Sequence, residues 1–281
     1  MKNKKYWYLL VILILIFVIT FFVLIKNVEE PKYKKENNSK EQITDRIPVL
    51  TFHRIVPDDI KQKVYKNNQW VGSADVFDNM LKYLSDNGYK TISTEELYNW
   101  YKGDIEYDKK TVLITFDDGF YEDYYVVLPI LKKYNFKATS FVVGSRISDI
   151  THEYDEYKTY FLGMDVINKV REEYPNFEFQ SHSYNLHYYT GEGKHKIKSL
   201  NYDEIVEDIN NNSKFKFTTM AYPYGDHNEY IEKALEEKGY LVAFSFGNQD
   251  YAKRDSDRFA IPRIKINGYA DIDTLKKWLD Y

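Results

Sequence analysis

Two adjacent carboxylates, Asp117 and Asp118, follow the apolar run 111–114 and directly precede Gly119. The apolar run predicts a buried strand, and the glycine predicts a turn after the acidic pair. A carboxylate at the end of a buried strand is costly unless it is paired, hydrogen-bonded or bound to a metal ion. The pair therefore indicates a site that holds a cation and moves protons. A capped turn is the plainer alternative, because Asp-Asp-Gly is also good turn chemistry.

Two histidines, His182 and His187, follow a second strand-like run, 177–180. Their spacing is unusual for two ligands of one ion. On a helix, residues five positions apart diverge by roughly 140°, and on a strand they point to opposite faces. Both imidazoles can therefore reach one ion only if His182 ends the strand and His187 returns from a loop or a first helical turn. The spacing differs from the metalloprotease motif, in which two histidines share one helix face. A polar loop without a ligand is the alternative.

Three short motifs resemble those of the polysaccharide deacetylase family, which is also called carbohydrate esterase family 4 or the NodB-homology family. The T-F-D-D-G motif runs from Thr115 to Gly119, and the H-S-x-x-x-H motif runs from His182 to His187. Part of a third motif is present as the residues Y-P-Y-G at 222–225. The resemblance extends over about residues 47–269. A single motif would be weak evidence, but the first two in this order are a strong signal.

The resemblance implies that Asp118, His182 and His187 bind one divalent metal ion, usually zinc, with cobalt or nickel as alternatives. It also implies that Asp117 is the general base. Two imidazoles and one carboxylate leave coordination positions open, which is typical of a catalytic metal site. Such an ion would polarise an acetamide carbonyl and acidify a water molecule, whose proton Asp117 would accept. The products would be acetate and a free amine.

The third motif departs from the family pattern at one position. The family implies that the backbone amide of Tyr224 stabilises the oxyanion. Many members carry an arginine where this chain has Ala221, and that arginine holds the catalytic aspartate. Its absence leaves the orientation and the pKa of Asp117 open. We expect Arg263, in the segment 260–264, to replace it.

The general acid also departs from the usual pattern, because the chain has no histidine after His227. The segment 48–54, P-V-L-T-F-H-R, resembles the opening of the subgroup that acts on poly-N-acetylglucosamine in biofilms. In that subgroup an early histidine is the acid, so His53 is expected to protonate the leaving amine. Its ordinary pKa suits proton donation near neutral pH. A core histidine without a catalytic role is the alternative.

Other residues near the motifs carry weaker signals. His152, His195 and His227 have no motif support and are predicted to be surface or loop residues. The inserts 145–163 and 188–200 are predicted specificity loops, because loops at the mouth of a barrel commonly set substrate choice. Tyrosines beside the motifs could stack on sugar rings, although tyrosine also simply packs well. These tyrosines are Tyr184, Tyr188, Tyr189, Tyr222 and Tyr224.

Strand-like runs alternate with amphipathic runs, which predicts an α/β barrel or a doubly wound sheet. The resemblance implies the first, an irregular (β/α) barrel of about seven strands. Every proposed site residue lies at or just after a strand's carboxyl end, where barrel enzymes place their chemistry. The predicted strands are 49–52, 111–115, 138–143, 177–180, 218–222, 241–244 and 260–264. The predicted helices are 74–85, 123–134, 203–212 and 228–238.

The amino-terminal part of the chain reads as a separate module. Residues 1–26 contain an apolar run, 6–25, of about twenty residues, long enough for a bilayer core of roughly 30 Å. No small-residue cleavage site follows, so we predict an uncleaved transmembrane signal-anchor. The chain has no cysteine, which excludes a lipid-anchored lipoprotein. Residues 27–46 are charged and polar and are predicted to be a flexible tether to a catalytic domain at 47–281.

Charge and resemblance together define the expected function. The net charge of −4 argues against nucleic acid as a partner. We expect metal-dependent N-deacetylation of a surface polysaccharide, poly-β-1,6-N-acetylglucosamine or a similar exopolymer. Peptidoglycan N-deacetylation, polysaccharide O-acetyl ester hydrolysis and sugar binding without catalysis stay open. Phosphoester hydrolysis is disfavoured, because neither a second metal centre nor phosphate-binding cations are evident.

The resemblance also sets expectations for place and partners. Lysines lie on both sides of the apolar run, so charge does not settle the topology. The family's usual substrates place the catalytic domain outside, in a single-pass protein of the cell membrane. We expect this domain to be monomeric, and a complex with a polysaccharide synthase stays open.

Overall fold

The computed structural model describes residues 43–247 and 249–279. Within these residues, no helix combines the length and the apolar character that crossing a membrane requires. The predicted signal-anchor and nearly all of the predicted tether lie outside the described residues. The catalytic domain predicted for 47–281 is described except at 248, 280 and 281.

A parallel sheet forms the centre of the described fold. Its strands are β2 Val49–Phe52, β5 Lys90–Thr91, β6 Thr111–Asp118, β7 Ala138–Val142, β8 Phe177–Ser181, β9 Thr219–Ala221, β10 Val242–Phe244 and β12 Ile264–Lys265. Seven of them follow one another in the spatial order β10-β9-β8-β7-β6-β2-β12, and the short β5 pairs with β6. Short strands outside this sheet are β1 Arg46–Ile47, β3 Arg54–Val56, β4 Val71–Ser73 and β11 Ala252–Lys253.

The segment 261–266, which contains β12, contacts both β10 and β2. The amide of Ser245, just after β10, donates to the carbonyl of Ile261 at 2.9 Å, and Phe244 forms a parallel bridge with Ile261. On the other side, β12 pairs with β2, and the amide of Ile266 donates to the carbonyl of Thr51 at 2.9 Å. One segment therefore contacts both β10 and β2 and closes the sheet, which fits the predicted irregular (β/α) barrel of about seven strands.

Helices cover the outside of the sheet. They are α1 Asp58–Lys63, α2 Ala74–Asp86, α3 Thr94–Lys102, α4 Leu128–Tyr134, α5 Met164–Glu173, α6 Tyr202–Asn211, α7 Glu229–Glu237 and α8 Ile272–Leu279. A π-helix at Asp123–Val127 leads directly into α4. Serine and asparagine side chains cap several amino termini, as at Ser93 before α3 and Asn201 before α6, where they accept backbone N–H bonds.

Side chains along β6 alternate between two apolar layers. Val112, Ile114 and Phe116 belong to the large core between sheet and helices, whereas Leu113 belongs to the smaller core inside the barrel. The period of two along a strand therefore directs Asp117, like Leu113, into the barrel. The alternation is what turns one of the two adjacent carboxylates inward.

The strand and helix predictions were close at most positions. All four predicted helices are present, although the first half of 123–134 is a π-helix. The prediction of a strand at 260–264 was wrong in its bounds, because the strand is Ile264–Lys265 and the residues before it form only an isolated bridge to β10. Four helices, α1, α3, α5 and α8, were not predicted from the sequence.

Candidate active site

The candidate site residues meet at the carboxyl ends of neighbouring strands. Asp117 and Asp118 end β6, and His182 directly follows β8. His53 directly follows β2, whose Phe52 is in register with Phe116 of β6. Because parallel strands end at the same rim of a barrel, residues far apart in sequence become neighbours there. The rim encloses a cleft of about 400 Å³ that all five residues, including His187, line.

Asp117 is held by a buried arginine. Its two carboxylate oxygens accept hydrogen bonds from the two terminal nitrogens of Arg263, at 2.7 and 2.8 Å. The Arg263 side chain is fully buried, and its Nε donates to the carbonyl of Ser245 at 3.0 Å. Arg263 thus contacts both oxygens of the aspartate, and it reaches them from the segment that closes the barrel rather than from position 221.

The charge state of Asp117 follows from this pairing. Burial alone raises the pKa of a carboxyl group, but the guanidinium of Arg263 and the imidazoles of His182 and His53 act in the other direction. The net result is that the pKa of Asp117 lies well below its usual range. Asp117 is therefore a carboxylate throughout the physiological pH range.

Three residues form a group with the composition of a metal site. Asp118, His182 and His187 each offer one potential ligand atom, and these three atoms all lie within 4.8 Å of one another. Nε2 of His187 is 3.3 Å from Oδ1 of Asp118, and a terminal nitrogen of Arg146 is 3.4 Å from the same oxygen. Two imidazoles and one carboxylate are a donor set that binds zinc and related ions while leaving coordination positions open.

The protein environment fixes the orientation of His182. Its Nδ1 lies 2.8 Å from the carbonyl oxygen of Ala221, to which it donates, so Nε2 is left free to act as a ligand. Burial is the main cause that lowers the pKa of His182 to about 4. The ring is therefore neutral near pH 7, and no proton has to leave before a metal ion binds.

A buried carboxylate on α6 supports the loop between the two histidines. The backbone amides of Tyr184 and Asn185 each donate to Asp208, both at 2.8 Å. The hydroxyl of Ser183 accepts from the amide of Leu186 at 3.1 Å. This bonding explains how the chain turns sharply enough for His187 to return to His182, whose ring centroid is 5.0 Å away.

Left-handed backbone conformations concentrate at the site. Among the described residues other than glycine, five have positive φ, and three of them are Asp118 (80°), Ser183 (66°) and Tyr224 (62°). Such conformations are costly for residues with a side chain and persist where the surrounding structure enforces them. Gly225, at φ 78°, packs so closely that an added Cβ would lie 2.3 Å from the amide nitrogen of Phe246. The backbone around Tyr224 is thus held in a fixed, unusual shape.

Aromatic rings form the wall of the cleft around His53. The His53 ring centroid lies 4.7 Å from Trp70 and 5.7 Å from Phe246. Burial lowers the pKa of His53, while the carboxylates of Asp117 and Asp118 act to raise it. The net effect is that the pKa of His53 lies below its usual value, with burial as the main cause.

The structure shows neighbours of the site that the sequence analysis did not identify. Arg54 forms a buried ion pair with Glu122 at 2.6 Å and also donates to the carbonyl of Lys158 and the hydroxyl of Thr159. The bonds to Lys158 and Thr159 tie the insert 145–163 to the cleft wall, and Arg54 itself lines the cleft. The position of Arg54 directly after His53 was the available signal.

Two of the three histidines without motif support also lie near the site. The ring of His195 stacks on Tyr224 with centroids 3.9 Å apart, and His227 stacks on Tyr222 at 5.1 Å. Both are loop residues as predicted, but neither is a free surface group. His152, by contrast, is exposed.

Comparisons with known proteins find similar chains. The sequence profile of the polysaccharide deacetylase family matches residues 104–243. A poly-beta-1,6-N-acetyl-D-glucosamine N-deacetylase from Staphylococcus aureus is 28% identical over 217 residues, covering 73% of this chain and 71% of the relative.

Solved structures share the fold. A de-N-acetylase from Aggregatibacter actinomycetemcomitans is 25% identical with a TM-score of 0.68, covering 83% of this chain and 100% of that one. IcaB from Ammonifex degensii has a TM-score of 0.69 at 21% identity, covering 85% and 98%, and this likeness concerns the fold alone. With the motifs, the barrel and the arrangement of the cleft, these findings show that the chain belongs to the polysaccharide deacetylase family.

Proposed function

We propose that the protein is a metal-dependent N-deacetylase that removes acetyl groups from N-acetylglucosamine residues of a surface polysaccharide. The single observation that carries the proposal is that two adjacent aspartate carboxylates have different bonding partners. Asp117 is paired with Arg263, whereas Asp118 faces the two histidines. One aspartate is thus available as a base and the other as a metal ligand.

The three residues Asp118, His182 and His187 fit a divalent metal ion. Their donor atoms are close together, and the Nδ1 contact to Ala221 frees Nε2 of His182. A bound ion would polarise the acetamide carbonyl and acidify the attacking water. Zinc suits this mixture of nitrogen and oxygen donors, and cobalt or nickel would suit it as well.

Asp117 is proposed to take the proton of the attacking water. Each carboxylate oxygen has two acceptor positions, so the two bonds from Arg263 leave capacity for the proton. The lowered pKa keeps Asp117 ionised at neutral pH and therefore able to accept a proton, and a bound metal ion would make the water easier to deprotonate. Arg263 also prevents the carboxylate from rotating, so its geometry toward the water is fixed in advance.

His53 and Tyr224 are proposed to complete the reaction. The backbone amide of Tyr224 would donate to the oxygen that becomes negative as water adds to the carbonyl. His53 would give its proton to the nitrogen of the leaving amine. Burial lowers the pKa of His53 and the Asp117 and Asp118 carboxylates oppose that shift, so added negative charge in the cleft would favour the protonated ring.

The proposed substrate is poly-β-1,6-N-acetylglucosamine or a similar exopolymer. Support comes from the early histidine motif and from the Staphylococcus aureus relative, whose name states that activity. Peptidoglycan and acetyl esters are the alternative substrates. We also propose that the amino-terminal apolar run anchors the domain at the outer face of the cell membrane, where such polymers lie, and that a polysaccharide synthase is a partner.

The test is product analysis on parallel substrates. A fragment beginning near Thr44 would be incubated with zinc, cobalt or nickel and with N-acetylglucosamine oligomers in β-1,6 linkage, peptidoglycan or an acetyl ester. Acetate and free amine in equal amounts on the oligomers support the proposal, and Asp117→Asn serves as the inactive control. Acetate without amine would identify an esterase, and binding without either product would identify a sugar-binding protein.

A further inference from the structure

The two histidines of the proposed metal group differ in how their rings are held. Nδ1 of His182 is fixed by the carbonyl of Ala221. Within the described residues, the only polar contact of the His187 ring is the one to Oδ1 of Asp118, at 3.3 Å. A histidine that binds a metal ion is usually oriented by a hydrogen bond from its second ring nitrogen. Other contacts are therefore left to orient the ring of His187.

A stack of aromatic rings supplies such contacts. The ring centroid of Tyr224 lies 4.5 Å from that of His187. The ring of His195 lies 3.9 Å from Tyr224 and is nearly parallel to it, with an interplanar angle of 11°. Aromatic pairs at such distances stabilise each other beyond the area that they bury. His195 is therefore one end of a stack whose other end is a proposed metal ligand.

A carboxylate holds the ring of His195 in this position. Nδ1 of His195 contacts one oxygen of Asp226, and the other oxygen lies 2.9 Å from Nζ of Lys198. The backbone of His195 is also fixed, because it forms an antiparallel bridge with Tyr189, two residues after His187. Asp226 thus ties the segment that follows His187 to the turn that contains Tyr224.

The same turn carries the amide that is proposed to stabilise the oxyanion. Tyr224 has a φ of 62°, which is costly for a residue with a side chain, so neighbouring groups have to enforce it. Gly225 packs against the backbone of Phe246, and the contacts of His195 and Asp226 are further restraints. Small displacements of a donor in an active site reduce the rate strongly. The stack therefore acts on the position of the amide as well as on His187.

We propose that His195, held by Asp226, is a positioning residue that orients the metal ligand His187 and the amide of Tyr224 through this stack of rings. His195 is not one of the residues that line the cleft, so it acts through Tyr224 rather than on the substrate. The inference rests on the proposed function, since it takes His187 as a metal ligand and the Tyr224 amide as the oxyanion donor.

The first test measures zinc binding, which needs no substrate. Metal-free, full-length wild type and His195→Ala would be titrated with zinc against a chromophoric chelator. Loss of one ring contact predicts a dissociation constant about 3- to 10-fold higher in His195→Ala. His195→Phe keeps a ring at this position and should recover at least part of the loss. Equal zinc affinity of His195→Ala and wild type, or no recovery with phenylalanine, would overturn the inference.

Kinetics give the second readout. On a hexasaccharide of N-acetylglucosamine at saturating zinc, kcat of His195→Ala should fall about 10- to 100-fold, because the Tyr224 amide is no longer held in place. KM should stay nearly unchanged, since the oxyanion forms only as water adds to the carbonyl. Asp226→Asn keeps all three rings and should show a smaller loss of kcat in the same direction. A loss expressed in KM alone would contradict a positioning role.

His227→Ala is the matched control. His227 also stacks on a tyrosine, Tyr222 at 5.1 Å, and its Nδ1 lies 2.6 Å from a carboxylate oxygen of Glu232. This stack resembles that of His195 but contains no proposed metal ligand, so zinc affinity and kcat should match the wild type. Equal losses in His227→Ala and His195→Ala would show a general effect of packing and would overturn the inference. A merely structural role of His195 would lower the thermal midpoint and leave zinc affinity unchanged.

Zinc binding also separates failure of this inference from failure of the proposed function. If the wild type binds zinc but releases no acetate, the proposed function fails, while weaker zinc binding in His195→Ala still supports the role of the ring stack. If acetate and amine are released, and His195→Ala equals the wild type in zinc affinity and kcat, the proposed function stands and the inference is overturned.

Discussion

Removal of the Arg263 side chain should destabilise the protein strongly and should change the titration of Asp117. In Arg263→Met, the carboxylate of Asp117 would stay buried without its two charged donors. Breaking a buried ion pair by removing one partner typically costs about 3–5 kcal/mol of unfolding free energy. The pair is almost completely buried, with side-chain exposures of 0% and 4%, so solvent screening does not reduce this value much.

Urea unfolding of the metal-free protein at pH 7 would measure the loss. Because Arg263 also donates to Ser245, a double-mutant cycle with Asp117→Ala is needed to isolate the pair. We expect a coupling of at least about 2 kcal/mol, since hydrogen bonds to charged groups contribute about 1.5–3 kcal/mol each. A coupling near zero would refute the view that Arg263 stabilises the charged form of Asp117.

The pH dependence has a definite sign. The pKa of Asp117 is lowered in the folded protein, so its contribution is present above the unfolded pKa of about 4 and is lost as the pH falls through the folded pKa. Without Arg263, burial is expected to raise the pKa of Asp117, and the acidic limb of kcat/KM should move to higher pH. A limb that stays in place in Arg263→Met would show that another group controls it.

Three further predictions concern the remaining parts of the site. His53→Ala should bind metal normally but lose about 10²- to 10⁴-fold in kcat, whereas the exposed His152→Ala should match the wild type in both measurements. Asp208→Asn should weaken metal binding by about 10- to 100-fold in a chelator competition, because the support of the histidine loop is lost, while Asp203→Asn on the exposed face of the same helix should not. Gly225→Ala should lower the thermal midpoint, since its Cβ would collide with backbone atoms of Phe246, and an unchanged midpoint would contradict the close packing described.

The sequence predicted the parts of the site that local patterns encode. An apolar strand followed by Asp-Asp-Gly predicts both the end of β6 and the turn, and strand alternation directs Asp117 inward. The alternation of strands and amphipathic runs predicts the layers of the barrel. The role of His182 and His187 could only be stated conditionally, because their return to each other depends on Asp208 in a helix further along the chain.

The contacts that were missed depend on tertiary structure. His195 has no local signal, since its partners Tyr224 and Asp226 come from a different loop. The strand predicted at 260–264 was displaced because this part of the chain contacts both β10 and β2 rather than pairing along its length with one strand. The short β5 and the π-helix likewise depend on strand pairing and side-chain packing, which cannot be predicted from the local sequence.

The central claim is that one metal ion, held by Asp118, His182 and His187, is required for release of acetate from an N-acetylated sugar. The most direct measurement is a titration of metal-stripped protein with zinc while free amine is quantified on the N-acetylglucosamine hexasaccharide. The account predicts that activity rises linearly, levels off at one equivalent of zinc per chain, and is absent at all zinc concentrations in His182→Ala. Full activity in the presence of a chelator, or a plateau only at two equivalents, would contradict it.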